Sequence, residues 1–434
     1  MAPSSQRLSL TEYGEPLSFA AVSATVTMPV VTLREHLRRA SRRIAESLAV
    51  YDAVAFGDGV FQVNDVAGIL RLCPGVELEV KPKFLSGEKA DWREDFFFIA
   101  MVSKYGRVLP RESLASESAE RGDLSDLIAR AMIQMYEENR RRPLRVYRRR
   151  TWESFFLDGE VDFETIALPD EDGFRQQGLV LDRENQFNRV IHRGMSNLLP
   201  EVRDGDTRRK LAHTILQTSP QNDRNRVRAK GLPARHRRWQ DLYHLALRVL
   251  SGHGLAYGDL GYGPLPGFLV RTSETWESLL LTALRIGLPD RHVTKRSHRI
   301  GIRTQPGRAP AELSVEPDIT IENAGSCSLV VDAKYKVGAD CRPGLCISRA
   351  DVYESLAFMR ATNCKRAVLL YPSAEPSGAT GATAAVDRVV VDAFEIVGLT
   401  VDPRGIARPG GFGLFSRRLA DSVRAYECPI GGTA

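Results

Sequence analysis

Two aspartates and a lysine lie close together between Glu316 and Lys336, and they are the residues of this chain best placed to do chemistry. Asp318 and Asp332 offer two carboxylates, and Lys334 offers an ammonium group. A phosphodiester is negative and gains charge on attack, so its hydrolysis needs hard cations held by carboxylates. The segment therefore predicts a site for metal-dependent phosphodiester hydrolysis, with Mg²⁺ as the expected ion and Mn²⁺ able to replace it.

A β-hairpin is expected to position these groups. Residues 319–322 and 328–331 are β-prone, and the polar residues 323–326 between them are typical of a turn. Asp318 and Asp332 then occupy neighbouring strand positions. The second strand is apolar up to its charged end, as expected for a strand that enters a core.

Each residue of the site can be given a role. Side chains alternate along a strand, so Asp332 and Lys334 should share one face while Ala333 points into the core. Asp318 and Asp332 would hold the metal, and the Ala333 carbonyl could add a ligand. Lys334 would orient or activate the attacking water and stabilise the transition state. The alternative is a surface hairpin that carries the same residues by chance.

The elements around the hairpin resemble those of the PD-(D/E)xK nuclease superfamily. Residues 332–336, a helical segment at 351–358 and an apolar strand at 367–372 follow the order of that core. The wider chain resembles the McrC family, the nuclease subunits of McrBC-type modification-dependent (type IV) restriction systems. Two further blocks of the chain, 75–83 and 179–189, resemble N-terminal and middle blocks of that family.

The resemblance has implications for function. It implies a metal-dependent endodeoxyribonuclease whose opening helix, at 275–280, contributes Glu277 to the metal site. It also implies a partner AAA+ GTPase hexamer of the McrB type, which recognises modified DNA and translocates on it. The N-terminal part of this chain would dock into that ring and stimulate hydrolysis. Lys81 and Lys83 lie in a family-like block, although a structural role at a strand end fits them equally well.

The chain departs from the family pattern on the helix after the catalytic strand. Relatives commonly carry glutamine where this chain has Glu354, and tyrosine where it has Phe358. The added carboxylate could repel phosphate or supply a further metal ligand.

Basic clusters favour a polyanionic partner. The 434-residue chain has a formal net charge of +6 and a pI near 9.0, and arginines concentrate at 140–150 and 224–238. Those two runs could equally form a solvated surface or an interface with an acidic protein. The run 295–299 precedes the hairpin, and we expect DNA contacts from this run and from two residues near the site. The predicted DNA-binding residues are Lys295, Arg296, Arg299, Lys336 and Tyr353.

Other patterns exclude several function classes. There is no phosphate-binding loop motif, and no run of some eighteen apolar residues, so neither nucleotide hydrolysis by this chain alone nor a membrane span is expected. The six scattered cysteines form no CxxC pair and follow no signal sequence, which favours a reducing cytoplasm over secretion and makes a zinc or iron–sulfur site a minor alternative.

Periodicity and turn residues predict a multidomain α+β fold. We expect an α+β N-terminal partner-docking domain at 1–110, with a helix at 33–50 and strands at 60–63 and 76–80. A mostly helical middle region at 111–255 and a glycine-rich linker should follow, and then an α/β nuclease core with a mixed sheet at 268–434. Further local expectations are a β-like piece at 155–163, a flexible loop at 373–385 and a poorly ordered tail beyond 424.

Two other functions stay open. The chain could be a stand-alone DNA repair or defence nuclease that needs no motor. It could also be a catalytically silent scaffold that activates a partner NTPase. Closely spaced carboxylates argue against the scaffold, because their repulsion must be relieved by a cation.

Overall fold

The fold is that of a computed structural model. The structure describes residues 6–73, 76–85, 92–105, 124–163, 166, 171–218, 231–250, 268–307, 309–335 and 346–428. The predicted linker and Lys336 lie outside these residues, as does part of the second basic run. Within them, no helix is both long and apolar enough to cross a membrane.

The N-terminal part alternates strands and helices. Its strands are β1 (Gln6–Thr11), β2 (Leu17–Ser18), β3 (Val54–Phe56), β4 (Val60–Val63), β5 (Val66–Cys73) and β6 (Val76–Lys81). Its helices are α1 (Phe19–Val26), α2 (Val30–Leu48) and α3 (Trp92–Tyr105). Leu33, Leu37 and Ile44 of α2 are fully buried, which is the helical spacing that predicted this helix. The predicted helix and both predicted strands are confirmed.

The middle part contains four helices and a small sheet within the described residues. The helices are α4 (Leu124–Asn139), α5 (Gln186–Leu198), α6 (Gly205–Thr218) and α7 (Gln240–Leu250). The strands are β7 (Val146–Ser154), β8 (Glu160–Val161) and β9 (Phe174–Asp182), all antiparallel. The β-like piece predicted at 155–163 contains the short strand β8. The longer strand β7, which begins within the first arginine run and pairs along its whole length with β9, was missed. The composition of the segment alone did not reveal that β9 is the partner of β7.

The C-terminal part carries the predicted hairpin in a larger sheet. Its strands are β10 (Phe268–Arg271), β11 (His292–Thr294), β12 (His298–Arg303), β13 (Ala311–Val315), β14 (Ile319–Asn323), β15 (Ser326–Ala333), β16 (Arg366–Pro372), β17 (Thr383–Val391) and β18 (Phe394–Val401). Its helices are α8 (Thr272–Gly287), α9 (Arg349–Thr362) and α10 (Gly411–Arg424).

Two local predictions for this part are corrected. The loop after β16 ends at residue 382, because β17 pairs with β18 from Thr383 onward. Residues just beyond 424 are held in place, since Arg366 donates hydrogen bonds to the carbonyls of Tyr426 and Glu427. Residues 429–434 lie outside the described part of the chain.

Two sheets organise these elements. One has the order β1-β6-β5-β10, in which β10 pairs antiparallel with β5. Gly68 permits this pairing, because a side-chain carbon there would lie 1.9 Å from the Phe268 carbonyl oxygen. The other sheet has the order β11-β14-β15-β16-β18-β17 and mixes parallel with antiparallel pairs. The predicted multidomain α+β class with a mixed C-terminal sheet is confirmed.

The described residues divide into two compact units. The first contains the described residues of 6–127 and of 268–428, so the N-terminal strands and the C-terminal sheet belong to one body. The second contains the described residues of 128–250. The residue ranges of the three domains inferred from the sequence stay a prediction.

Candidate active site

The hairpin β14–β15 places the two predicted metal ligands side by side. Its strands pair from Ile319 opposite Val331 to Asn323 opposite Ser326. Ala324 and Gly325 form the two-residue turn, and both have a positive φ, as the tight hairpin turn requires. The predicted hairpin is confirmed.

Asp318 precedes β14 and reaches across to the end of β15. One of its carboxylate oxygens accepts a hydrogen bond of 2.9 Å from the backbone N–H of Ala333. Its carboxyl group also lies within hydrogen-bonding reach of Asp332. Ala333 itself is only partly buried, whereas Asp332 is 4% exposed, so the expectation that Ala333 enters the core was wrong.

Asp332 is a buried acid beside a second acid. Burial, together with the neighbouring Asp318, raises the pKa of Asp332 to about 7. The ammonium of Lys334 opposes this shift and lies 2.6 Å from one carboxylate oxygen. This contact is an ion pair. A buried carboxylate beside a second carboxylate is a site that attracts a cation, because a cation relieves the repulsion between them.

Lys334 is held between acids of β15 and α9. Its ammonium lies 2.6 Å from Glu354 and 3.8 Å from Asp351, in addition to Asp332. Burial opposes the charge of Lys334, but the ion pairs outweigh burial and raise its pKa above the usual range. Lys334 therefore stays protonated and acts as a fixed cation at neutral pH. Glu354, where relatives commonly carry glutamine, is thus in direct contact with Lys334.

Glu277 lies on α8, in the position expected from the resemblance, but another cation engages it. Lys295 contacts its carboxylate at 2.5 Å. Burial opposes the charge of Lys295, while Glu277 and the nearby Asp318 raise its pKa. The structure therefore brings Asp318, Asp332 and Lys334 together, and it places Glu277 at their margin in an ion pair.

The predicted DNA-binding cations are paired with acids on the surface of the first unit. Arg296 contacts Glu322, and Arg299 lies 3.6 Å from Glu312. Both arginine side chains are more than half exposed. The pair of Arg299 with Glu312 is exposed on both sides and contributes about 0–1 kcal/mol, so a phosphate can replace this acid at little cost. Arg296, in contrast, pairs with a buried acid, since Glu322 is only 9% exposed. Tyr353, on α9 next to Glu354, is 70% exposed.

A buried network that sequence reasoning missed supports the end of the catalytic strand. Glu12, after β1, accepts hydrogen bonds from the hydroxyls of Thr272 and Tyr335, the latter at 2.6 Å. The Lys83 ammonium donates to the Tyr335 carbonyl at 3.1 Å and lies over the rings of Tyr13 and Tyr335. These contacts support a structural role for Lys83. The partners are far apart in sequence, and no local pattern marks them.

The carboxylates present suit a Mg²⁺ ion. Mg²⁺ commonly binds through one or two carboxylates and keeps several waters, and Asp318 and Asp332 supply two. Among the described residues, no group of three or more His, Cys, Asp or Glu side chains could hold a metal ion. The two carboxylates are therefore compatible with a Mg²⁺ ion that keeps most of its water ligands.

Comparison with protein families gives one match, which spans most of the chain. Residues 61–372 match the model described as "McrBC 5-methylcytosine restriction system component". The matched range includes every predicted catalytic residue. No curated protein sequence matches the chain.

A solved structure with a TM-score above 0.5 shares the fold. One match is a chain of the Thermococcus gammatolerans assembly described as McrB AAA+ hexamers with bound McrC. It has a TM-score of 0.65 and 16% identity, and the alignment covers 96% of this chain and 100% of that one. A second match, from the McrBC complex of the same organism, has a TM-score of 0.48 and 15% identity over 65% of this chain and 88% of that one.

Proposed function

Because this chain belongs to the McrBC family of 5-methylcytosine restriction system components, we propose that it is the nuclease subunit of such a system, cutting DNA with Mg²⁺ at Asp318 and Asp332. One observation carries the proposal. A buried acid near the end of a strand, Asp332, lies beside a second acid, Asp318, with a protonated lysine against it. A surface hairpin has no reason to bury this arrangement.

The bound ion would supply the positive charge that polarises the scissile phosphate and lowers the pKa of a coordinated water. Asp318 and Asp332 would hold it, with the Ala333 carbonyl as a further oxygen ligand. Asp332 must be ionised for this role, and a nearby cation favours that form over the protonated one.

Lys334 would act through its charge. Its raised pKa makes it a poor base at neutral pH, so it would not take a proton from water. An ammonium fixed by Asp332 and Glu354 can instead orient the attacking water and stabilise the charge that develops on the phosphate.

Glu277 and Lys295 would change partners during substrate binding. In the structure they neutralise each other at the margin of the site. A DNA phosphate that attracts Lys295 would release the Glu277 carboxylate toward the metal site. Arg296, Arg299, Tyr353 and Lys336 would contact the DNA backbone nearby.

A partner motor completes the proposal. The solved structure with the same fold contains McrB AAA+ hexamers with bound McrC. We expect this chain to bind a hexameric AAA+ GTPase of that type through its N-terminal part and to stimulate GTP hydrolysis. The partner would recognise the modified base, in keeping with the 5-methylcytosine of the family description.

The test is plasmid cleavage with Mg²⁺, comparing methylated with unmethylated DNA. Wild type, Asp332→Ala and a matched control, Glu12→Gln, are each assayed with and without the cognate McrB-type GTPase and GTP. Glu12 is a suitable control because it is a buried acid with a similarly raised pKa outside the metal site. We expect cutting of methylated DNA by wild type and the control, only with partner and GTP.

The other outcomes separate the alternatives. Cutting by wild type alone would keep the nuclease and discard the motor. Cutting by Asp332→Ala at the wild-type rate would refute the site. No cutting in any mixture, with the partner's GTPase still stimulated, would favour the silent scaffold.

A further inference from the structure

Three cysteines line one cavity at the end of the C-terminal sheet opposite to Asp332. Cys327, Cys364 and Cys428 border a cavity of about 460 Å³, together with Lys365 and other charged residues. All three are free thiols. Cys364 is buried, whereas Cys327 and Cys428 are partly exposed. The cavity therefore gives a small solvent-borne molecule access to a thiol cluster.

Two of these thiols belong to neighbouring parts of the sheet. Cys327 lies in β15, which pairs in parallel with β16 from Val330 opposite Ala367. Cys364 lies two residues before β16 begins. Cys364 belongs to the hydrophobic cluster that contains Val330 and Ala367, Cys327 packs against the same cluster, and both thiols line the same cavity.

The thiols of Cys327 and Cys364 donate weak hydrogen bonds to backbone carbonyls, that of Leu329 at 3.5 Å and that of Arg366 at 3.3 Å. Cys364 lies between the other two thiols and contacts both. Contact with Cys364 lowers the pKa of Cys327, whereas the same contact, with burial, raises the pKa of Cys364. Burial also raises the pKa of Cys428. Cys327 is thus the member of the cluster that ionises most readily, and thiolates are the reactive form.

The surroundings hold this cluster in place. The N–H of Cys428 donates to the Ser328 carbonyl at 3.0 Å, which fixes the chain after α10 against β15. Arg366 donates to the carbonyls of residues 426 and 427 and pairs with Glu395 at 3.3 Å. The thiols are therefore fixed by backbone contacts.

We propose that Cys327 and Cys364 form a thiol pair that hydroperoxides oxidise to a disulfide. In the first step the Cys327 thiolate attacks the terminal oxygen of the hydroperoxide and the O–O bond breaks, so that the sulfur becomes a sulfenic acid and the peroxide is reduced; the leaving alkoxide, or hydroxide when hydrogen peroxide is the oxidant, takes a proton from solvent and departs as the alcohol or water. In the second step the Cys364 sulfur attacks that of Cys327. The S–S bond forms, the S–OH bond breaks, and the Cys364 proton leaves in a water molecule.

The pair is separate from the catalytic residues. Cys327 and Asp332 are five residues apart along β15, which is about 17 Å. Oxidation of the thiol pair therefore does not depend on the proposed nuclease activity. An experiment can refute either proposal without refuting the other.

The test uses the full-length protein, freed of reductant and treated with hydrogen peroxide for timed intervals. Remaining thiols are alkylated, and peptides are mapped by mass spectrometry without reduction. We expect a cross-linked peptide joining residues 327 and 364, formed at least about ten times faster than free Cys73 is lost. Cys73 is an internal reference, because it is a buried thiol whose pKa burial raises.

Two variants sharpen the result. Cys364→Ser should stop the reaction at the Cys327 sulfenic acid, which a dimedone probe captures. Cys428→Ser, the matched control, should keep the cross-link. The proposal is overturned if wild type forms no 327–364 cross-link while Cys73 is oxidised, or if the cross-link forms equally fast in urea-unfolded protein. A dominant 364–428 cross-link would also overturn it.

Discussion

Two buried acids of the first unit, Glu12 and Asp332, look alike by burial and differ in their partners. Glu12 is 1% exposed and Asp332 is 4% exposed. Burial raises the pKa of each to about 7. Judged by pKa alone, both would qualify as functional-site candidates.

Their partners separate them. Both oxygens of Glu12 face donors, namely two hydroxyls and, at 3.4 Å, the backbone N–H of Lys83. Asp332 instead faces a second carboxylate and an ammonium. A raised pKa therefore reports burial, whereas a neighbouring carboxylate marks the position where a further cation can bind.

The largest effect should come from removing the charge of Asp332. We expect Asp332→Asn to reduce DNA cleavage by at least about 10³-fold, because a ligand of the proposed metal site is lost. The free energy of unfolding should fall by less than about 1 kcal/mol, since the repulsion from Asp318 is relieved. Plasmid cleavage and urea unfolding measure the two quantities. Retained cleavage would place the metal site elsewhere.

Glu12→Ala should show the opposite pattern. The variant leaves the hydroxyls of Thr272 and Tyr335 without their acceptor and opens a cavity, which costs about 2–4 kcal/mol of unfolding free energy. Cleavage by the folded fraction should stay within about threefold of wild type. A loss of stability below about 1 kcal/mol, seen in urea unfolding, would contradict the structural role given to this acid.

The difference between the two acids also explains what could be read from the sequence. The catalytic hairpin was predictable, because Asp318, Asp332 and Lys334 lie within one short local motif whose turn residues and strand alternation are visible. Helices such as α2 and α7 were predictable from their apolar spacing.

The features that could not be predicted from the sequence depend on contacts between distant parts of the chain. Glu12 meets Thr272 and Tyr335 only because β5 pairs with β10, and no local pattern encodes that pairing. The β7–β9 pairing was missed for the same reason. The ion pair of Glu277 with Lys295 likewise follows from how α8 packs beside β11.

The titration of Glu12 predicts a pH dependence of stability. Its pKa is about 7 in the folded protein and 4.5 in the reference state, so the folded state binds more protons between these values. Stability should therefore fall as pH rises from 5 to 8, by at most about 3 kcal/mol. Urea unfolding across this range should show the slope in wild type, and Glu12→Gln should lessen it. Identical slopes in the two proteins would refute this assignment.

The smallest effect should come from changing Glu354, whose carboxylate contacts Lys334 as that of Asp332 does. Its side chain is about half exposed, and it contacts the same ammonium as Asp332. Exposed ion pairs contribute about 0–1 kcal/mol, so Glu354→Gln should change plasmid cleavage by no more than about fivefold. An increase is expected, because a carboxylate that can repel phosphate is removed, and the Asp332 contact still holds Lys334. A loss beyond about tenfold would show that Glu354 belongs to the cation site with Asp318 and Asp332, and that burial is not what distinguishes the catalytic acids here.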